Sequence, residues 1–144
     1  MATRVFFDAT GRIRMAIAGD AQTLAEQRVP EGCSDLCSED TVFAHTHYVR
    51  EGQLAPIPDP PQASMRFAHA EGRWVRDEAL AWWHCRQERN RLLEASDWTD
   101  TLSARTRLGS ERYEAWQVYR QLLRDVTLQS DPYAIVWPEP PQSA

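Results

Sequence analysis

The segment Pro56-Ile57-Pro58-Asp59-Pro60-Pro61 divides the chain into two parts of different composition. Four prolines within six residues exclude a helix or a central strand, because proline lacks an amide hydrogen and fixes its own backbone angle. We therefore expect an extended, semi-rigid spacer at this position. The tryptophans all lie after the spacer: Trp74, Trp82, Trp83, Trp98, Trp116 and Trp137. This asymmetry predicts two parts with different architecture.

The overall composition suits one compact unit or two very small ones. The 144 residues are 42% apolar and 26% charged, which allows a core and does not indicate global disorder. The net charge is −5, so a nucleic-acid partner is not expected. The longest apolar run, residues 79–83, is far too short for a membrane span, and no secretory signal is visible. We therefore expect no membrane partner and a place in a cytoplasm.

Three β-hairpins are predicted from short apolar runs on both sides of turn-forming residues. Their strands are expected at residues 5–7 with 12–18, 42–50 with 53–57, and 65–68 with 73–76. The turns contain Gly11, Gly52 and Gly72. Between the first two hairpins, Asp20 is expected to cap one or two helical turns, and residues 29–40 are expected to form a loop.

Two helices are predicted after the third hairpin. The first follows the N-cap Asp77 and ends near residue 95, and the second runs from Ser110 to about Val126. The second helix has an apolar stripe formed by Trp116, Tyr119, Leu123 and Val126. A connector of about fourteen residues would let the helices pack as an antiparallel pair. The rings expected to cover the open side of this pair are Trp74, Trp98 and Trp137.

The chain is therefore predicted to be an α+β protein in three parts. A small β-hairpin domain should occupy residues 1–55, and the Pro-rich spacer with a short hairpin should occupy residues 56–76. The antiparallel helix pair, with a tail rich in Trp and Pro, should occupy residues 77–144.

Three motifs in the second part resemble those of the phage tail assembly chaperone family. Residues 86–99 carry the pattern R-x-x-R-N-x-L-L-x-x-S-D-W-T, residues 116–125 carry W-x-x-Y-R-Q-x-L-R-D, and residues 137–141 carry W-P-x-P-P. The motifs occur in the family's order. The first part is similar to N-terminal regions of uncharacterised phage tail proteins, through residues 6–13 and 47–54.

The resemblance implies a non-catalytic assembly factor that binds a phage tail or tail-fibre polypeptide in the host cytoplasm and needs no cofactor. A homo-oligomer, or a symmetric complex with a trimeric fibre, would fit this role. The alternative is a permanent component of the phage tail, baseplate or fibre, which would stay on the virion. The motif residues are expected either to bind the partner or to stabilise the helix pair. They are Arg86, Arg89, Asn90, Asp97, Trp98, Trp116, Tyr119, Arg120 and Trp137.

A zinc-binding module is a second alternative, suggested by Cys33, Cys37, His45 and His47. Cysteine and histidine are common zinc ligands, but a histidine pair separated by one residue departs from the usual spacing of structural zinc sites. The three cysteines are an odd number, so reduced thiols are expected rather than a disulfide framework. No phosphate-binding loop, dinucleotide-binding pattern or nucleophile elbow occurs, so no enzymatic activity is predicted.

Overall fold

The computed structural model describes residues 1–142 and confirms the predicted α+β class. Contacts divide the chain into two compact units, Met1–Arg76 and the part from Asp77 onward. The predicted boundary between residues 76 and 77 coincides with this division, whereas the predicted parts 1–55 and 56–76 lie in one unit. Among the described residues, no helix is long and apolar enough to cross a membrane.

A three-stranded antiparallel sheet is the main element of the first unit. Strand β1 (Ala2–Asp8) lies between β2 (Ile13–Gly19) and β3 (Cys33–Ser38). The predicted first hairpin, β1 with β2, is confirmed. Its turn is tight because the Asp8 carboxylate accepts hydrogen bonds from the backbone amides of Thr10 at 2.9 Å and Arg12 at 3.3 Å.

The prediction of a loop over residues 29–40 is wrong for residues 33–38, which form β3. The sequence of β3 has few β-forming residues, so the strand owes its existence to pairing with β1 rather than to local preference. A long-range ion pair supports this pairing, because Arg4 Nε donates to Asp35 Oδ2 at 2.8 Å. The short helix α1 (Ala21–Ala25) is confirmed, and its N-cap Asp20 accepts from the amide of Thr23 at 2.8 Å.

The second hairpin is shorter than predicted. Strand β4 (His47–Arg50) pairs with β5 (Gln53–Pro56), but residues 43–46 form a turn closed by a 3.1 Å hydrogen bond from the Thr46 amide to the Phe43 carbonyl. The apolar residues before the strand are therefore not part of it. One of them still belongs to the hydrophobic core, whose buried members are Val5, Ile13, Val42 and Val49.

The third hairpin is confirmed as β6 (Met65–Ala68) and β7 (Arg73–Arg76). Phe67 of this hairpin contacts three other rings at centroid distances of 4.9–5.4 Å. We call the four rings the aromatic cluster: Tyr48, Phe67, His69 and Trp74. Trp74 also donates from Nε1 to the carbonyl of Pro58 at 2.8 Å. Trp74 therefore fixes the Pro-rich segment within the first unit.

The second unit is built on helices α2 (Glu78–Ala95) and α4 (Ser110–Asp125). The predicted N-cap is confirmed, because the Asp77 carboxylate accepts from the amide of Leu80 at 3.0 Å. The helices are antiparallel: Arg120 bonds to Leu93 near the end of α2, while Tyr133, which follows α4, bonds to Asp77 before α2 begins. The predicted apolar stripe of α4 faces inward, with three of its residues buried: Tyr119, Leu123 and Val126.

The connector between the two helices forms a short 3-10 helix (Asp97–Asp100) and a third helix, α3 (Leu102–Leu108). Thr101 caps α3 by accepting from the amide of Ala104 at 3.1 Å. Of the rings expected to cover the open side of the pair, Trp98 is 46% exposed and Trp137 is half-buried.

We expect Gly11→Ala to destabilise the first unit by about 2–5 kcal/mol, from backbone strain and a steric overlap. Gly11 has φ +82°, and a Cβ there would overlap the carbonyl oxygen of Val49. The matched control is Gly32→Ala. Gly32 has φ +73°, and a Cβ there would meet no neighbour within 4 Å, so this substitution should lower the free energy of unfolding by only about 1–2 kcal/mol. Urea unfolding, followed by the Trp74 indole signal in NMR, measures the loss of stability in both variants. Equal losses for the two variants would contradict the close approach of Gly11 to Val49.

We expect the first unit to lose stability as the pH falls below 6.5, the ordinary pKa of histidine. Burial, and then the charge of Arg12, hold the pKa of His69 below this value. The unfolded chain therefore takes up the proton more readily, so acidification favours unfolding until the pH passes below the lowered pKa of His69. The urea midpoint should fall between about pH 7.5 and about pH 5.5, and His69→Gln should reduce that fall. His45→Gln is the control. A fall that is unchanged in His69→Gln would refute the prediction.

Candidate functional site

The side chain of Arg120 connects α4 to the end of α2. It is only 6% exposed, although it carries a charge. Its Nη1 donates to the carbonyl of Leu93 at 2.7 Å and to Ser96 Oγ at 2.8 Å, and its Nη2 donates to Asp97 Oδ1 at 2.9 Å. We call this set of contacts the Arg120 clamp. A buried guanidinium is tolerated only when such bonds replace its hydration, so the clamp fixes α4 against the end of α2.

The residues after α2 shape the acceptors of the clamp. Ser96 Oγ donates to the carbonyl of Leu92 at 2.9 Å while it accepts from Arg120. Thr99 is fully buried, and its Oγ1 donates to the carbonyl of Ser96 at 2.7 Å. These local bonds end the helix and begin the 3-10 turn, as expected for Ser and Thr at such positions. The motif S-D-W-T is therefore structural at three of its four positions: Ser96, Asp97 and Thr99.

Trp98, the remaining residue of that motif, lies on the surface of the unit. Its ring meets Trp116 edge-on at a centroid distance of 5.5 Å, and Trp116 meets Tyr119 at 5.6 Å. Exposure falls along this series, from Trp98 to the half-buried Trp116 to the buried Tyr119. Burial also raises the pKa of the Tyr119 hydroxyl. Three rings thus lead from the core to a solvent-facing indole.

The side of α2 that faces away from the core carries an aromatic and an arginine side by side. Trp83, Arg86 and Asn90 follow one another at spacings of three and four residues, and all three are exposed. We call them the outer stripe of α2. Trp83 is 53% exposed, and Arg86 has no ion pair among residues 1–142. Arg89 adjoins the stripe and donates from Nε and Nη2 to Asn90 Oδ1, at 3.1 and 2.9 Å.

The tail returns to α4 after Pro132. Gln129 holds it with two hydrogen bonds, because its Nε2 donates to the Val136 carbonyl at 3.0 Å and its Oε1 accepts from the Val136 amide at 2.9 Å. Trp137 then lines a small, mainly apolar cleft of about 240 Å³ together with Leu122 and Val126. This cleft adjoins the exposed side chain of Leu122, so the tail extends the apolar surface of the unit.

The predicted motif residues fall into two groups. Three of them are parts of the internal structure: Asp97, Tyr119 and Arg120. The others are exposed or half-exposed: Arg86, Arg89, Asn90, Trp98, Trp116 and Trp137. Asp97 is the carboxylate that pairs with Arg120. Sequence reasoning missed Gln129 and Trp83. The spacing of Trp83 from Arg86 was a usable signal, whereas nothing local marks Gln129.

The four possible zinc ligands do not converge. Cys33 and Cys37 lie on β3, with Cys37 exposed, while the His45 ring contacts Phe43 and His47 Nδ1 lies 2.8 Å from Thr46 Oγ1. Within residues 1–142, no group of three or more His, Cys, Asp or Glu side chains could hold a metal ion. The zinc-binding alternative therefore has no supporting geometry in the described part of the chain.

Exposed tryptophan and arginine side chains, such as Trp83 and Arg86 on α2, are of the types enriched in protein–protein interfaces. Residues 82–142, which include most of the helical unit, match the family model described as phage tail assembly chaperone protein. This match supports the suspected family and a general role in phage tail assembly, with a phage tail protein as the kind of partner that the family implies. No curated protein and no solved structure gives a significant match.

We expect Arg120→Met to destabilise the helical unit by about 2–4 kcal/mol, because it removes the clamp and leaves its acceptors without a donor. Asp97→Asn should cost less than about 1 kcal/mol, since the Asp97 side chain is 65% exposed. The exposed Arg112 offers the control Arg112→Met, which should be near neutral. Circular dichroism during urea unfolding measures all three. A near-neutral Arg120→Met would contradict the clamp.

Proposed function

We propose that this chain is a non-catalytic assembly factor that binds a phage tail or tail-fibre polypeptide through the surface of its helical unit. The observation that carries the proposal is the outer stripe of α2, where Trp83 and Arg86 are exposed side by side. Trp and Arg are the residue types that most often anchor protein interfaces. The stripe lies inside the segment that matches the family. This position supports a role for the stripe in tail assembly.

Apolar side chains at other places on the same unit add to this surface. Val118 and Leu122 are exposed on α4 at a spacing of four residues, and Val136 is exposed in the tail. These side chains would lose contact with water if a client covered them. A client polypeptide that has not yet reached its final assembly exposes apolar surface of its own, and mutual burial would keep it from aggregating.

Release of the client needs no nucleotide in this proposal. Burial of the client surface in the finished tail would compete with its burial against the assembly factor. The client would leave the factor because the interface in the finished tail is more extensive. The factor would act in the host cytoplasm and leave the particle. A homo-oligomer, or a symmetric complex with a trimeric fibre, would multiply the number of such contacts.

We expect co-expression of this chain with a tail-fibre polypeptide of the same phage to raise the soluble fraction of that polypeptide. The double variant Trp83→Ala/Arg86→Ala should lose most of this effect and weaken co-purification at least about tenfold, because both side chains are anchors of the hot-spot type. Both residues are exposed, so the variant should remain folded. Soluble yield and pulldown measure the effect.

The matched control is Arg112→Ala, since Arg112 is an exposed arginine on α4, away from the outer stripe. It should behave like the unchanged chain. Unfolding caused by Trp83→Ala/Arg86→Ala would show that the stripe is structural, and full co-purification of that variant would refute the proposed surface. Mass spectrometry of purified particles adds a second test, because a stoichiometric signal would favour a permanent tail, baseplate or fibre component.

A further inference from the structure

The first unit contains an open cleft that the proposed function does not use. It has a volume of about 690 Å³ and lies between the start of β2 and the aromatic cluster. The side chains that matter here are Arg12, Arg14, His45, Phe67, His69 and Trp74. Two arginines thus lie beside three or more flat rings. We propose that this cleft binds an extended, acidic peptide segment, with the arginines holding carboxylates and the rings holding the apolar residues between them.

The walls of the cleft are held in place without a ligand. The Pro-rich segment forms one wall, because Trp74 Nε1 donates to the Pro58 carbonyl at 2.8 Å and the Ile57 amide donates to the Thr46 carbonyl at 2.8 Å. The floor is the contact of Phe67 with Trp74, at a centroid distance of 5.4 Å. A site with preformed walls loses little conformational entropy when a ligand binds.

The arginines of the cleft are available to an anion. Arg12 forms no side-chain hydrogen bond or ion pair among the described residues, and Arg14 has only a loose contact of 3.8 Å with Asp8 Oδ2. The charge of Arg12 reaches His69, since it contributes to the lowered pKa of that histidine. Planar guanidinium groups bind carboxylates through two parallel hydrogen bonds.

The chain itself supplies an example of the ligand's shape. Asp59 lies on the wall of the same cleft, between two prolines in an extended segment, and forms no ion pair among residues 1–142. Extended Pro-containing peptides are commonly held in grooves lined by aromatic rings. The openness of the cleft favours a peptide that lies along it over an enclosed small molecule.

A nucleic acid is a poorer fit for this cleft. Residues 1–76 contain eight arginines against ten carboxylates, so the unit has no excess of positive charge to hold a phosphate backbone. Two arginines among aromatic rings are enough to select carboxylate side chains, but they are too few for the many phosphate contacts of nucleic-acid binding.

The test uses the full chain and a synthetic peptide of about ten residues that alternates Glu with Pro, titrated calorimetrically at about 50 mM salt. Binding should be measurable, and Arg12→Gln/Arg14→Gln should weaken it at least about tenfold. The matched control is Arg28→Gln, an exposed arginine of the same unit outside the cleft, which should leave the affinity unchanged. In NMR, bound peptide should also raise the pKa of His69, because a carboxylate near Arg12 offsets its charge.

Three results would overturn the proposal. The first is no binding of the Glu-Pro peptide by the unchanged chain. The second is a loss smaller than about tenfold in Arg12→Gln/Arg14→Gln while Trp74 retains its folded NMR signal. The third is equal or tighter binding of a Lys-Pro peptide or of a single-stranded DNA of the same length, since either would show that the cleft does not select carboxylates.

Discussion

The guanidinium of Arg120 is a positive charge inside the helical unit. Three hydrogen bonds from its two Nη atoms stabilise it there, while its buried Nε has no hydrogen-bond partner among the described residues. Desolvating such a group costs several kcal/mol unless hydrogen bonds replace the lost water. The replacements come from the end of α2: the Leu93 carbonyl, Ser96 Oγ and Asp97 Oδ1. Polar geometry therefore helps to set the position of α4 against α2, together with the burial of Tyr119, Leu123 and Val126.

The Arg120 clamp also explains why large rings remain at the surface of the helical unit. With the helices held by the Arg120 clamp, the tryptophans of the unit are not all needed for the core, and Trp83 and Trp98 stay about half exposed. The family match over residues 82–142 supports a role in phage tail assembly.

The sequence predicts the elements of the fold better than their packing. Hairpins and helices with clear local signals were recovered, such as the turn at Asp8 and the N-cap at Asp77, because capping and turn chemistry act over a few residues. Strand β3 was missed because it depends on pairing with β1, about thirty residues earlier. The exposure of Trp98 was also missed, since ring burial depends on tertiary contacts that composition does not report.

The candidate site shows the same limit. The sequence could not separate Asp97 and Arg120, which contact each other within the unit, from Arg86 and Trp98, which lie on its surface. No sequence pattern indicates the role of Gln129, because its two hydrogen bonds to Val136 form only when the tail folds back. The most direct test of a docking role for α2 is radical footprinting of the chain, alone and in complex with its tail polypeptide. Oxidation of Trp83 should fall sharply in the complex while that of Trp74 stays constant, and unchanged oxidation of Trp83 would contradict a docking role for the outer stripe.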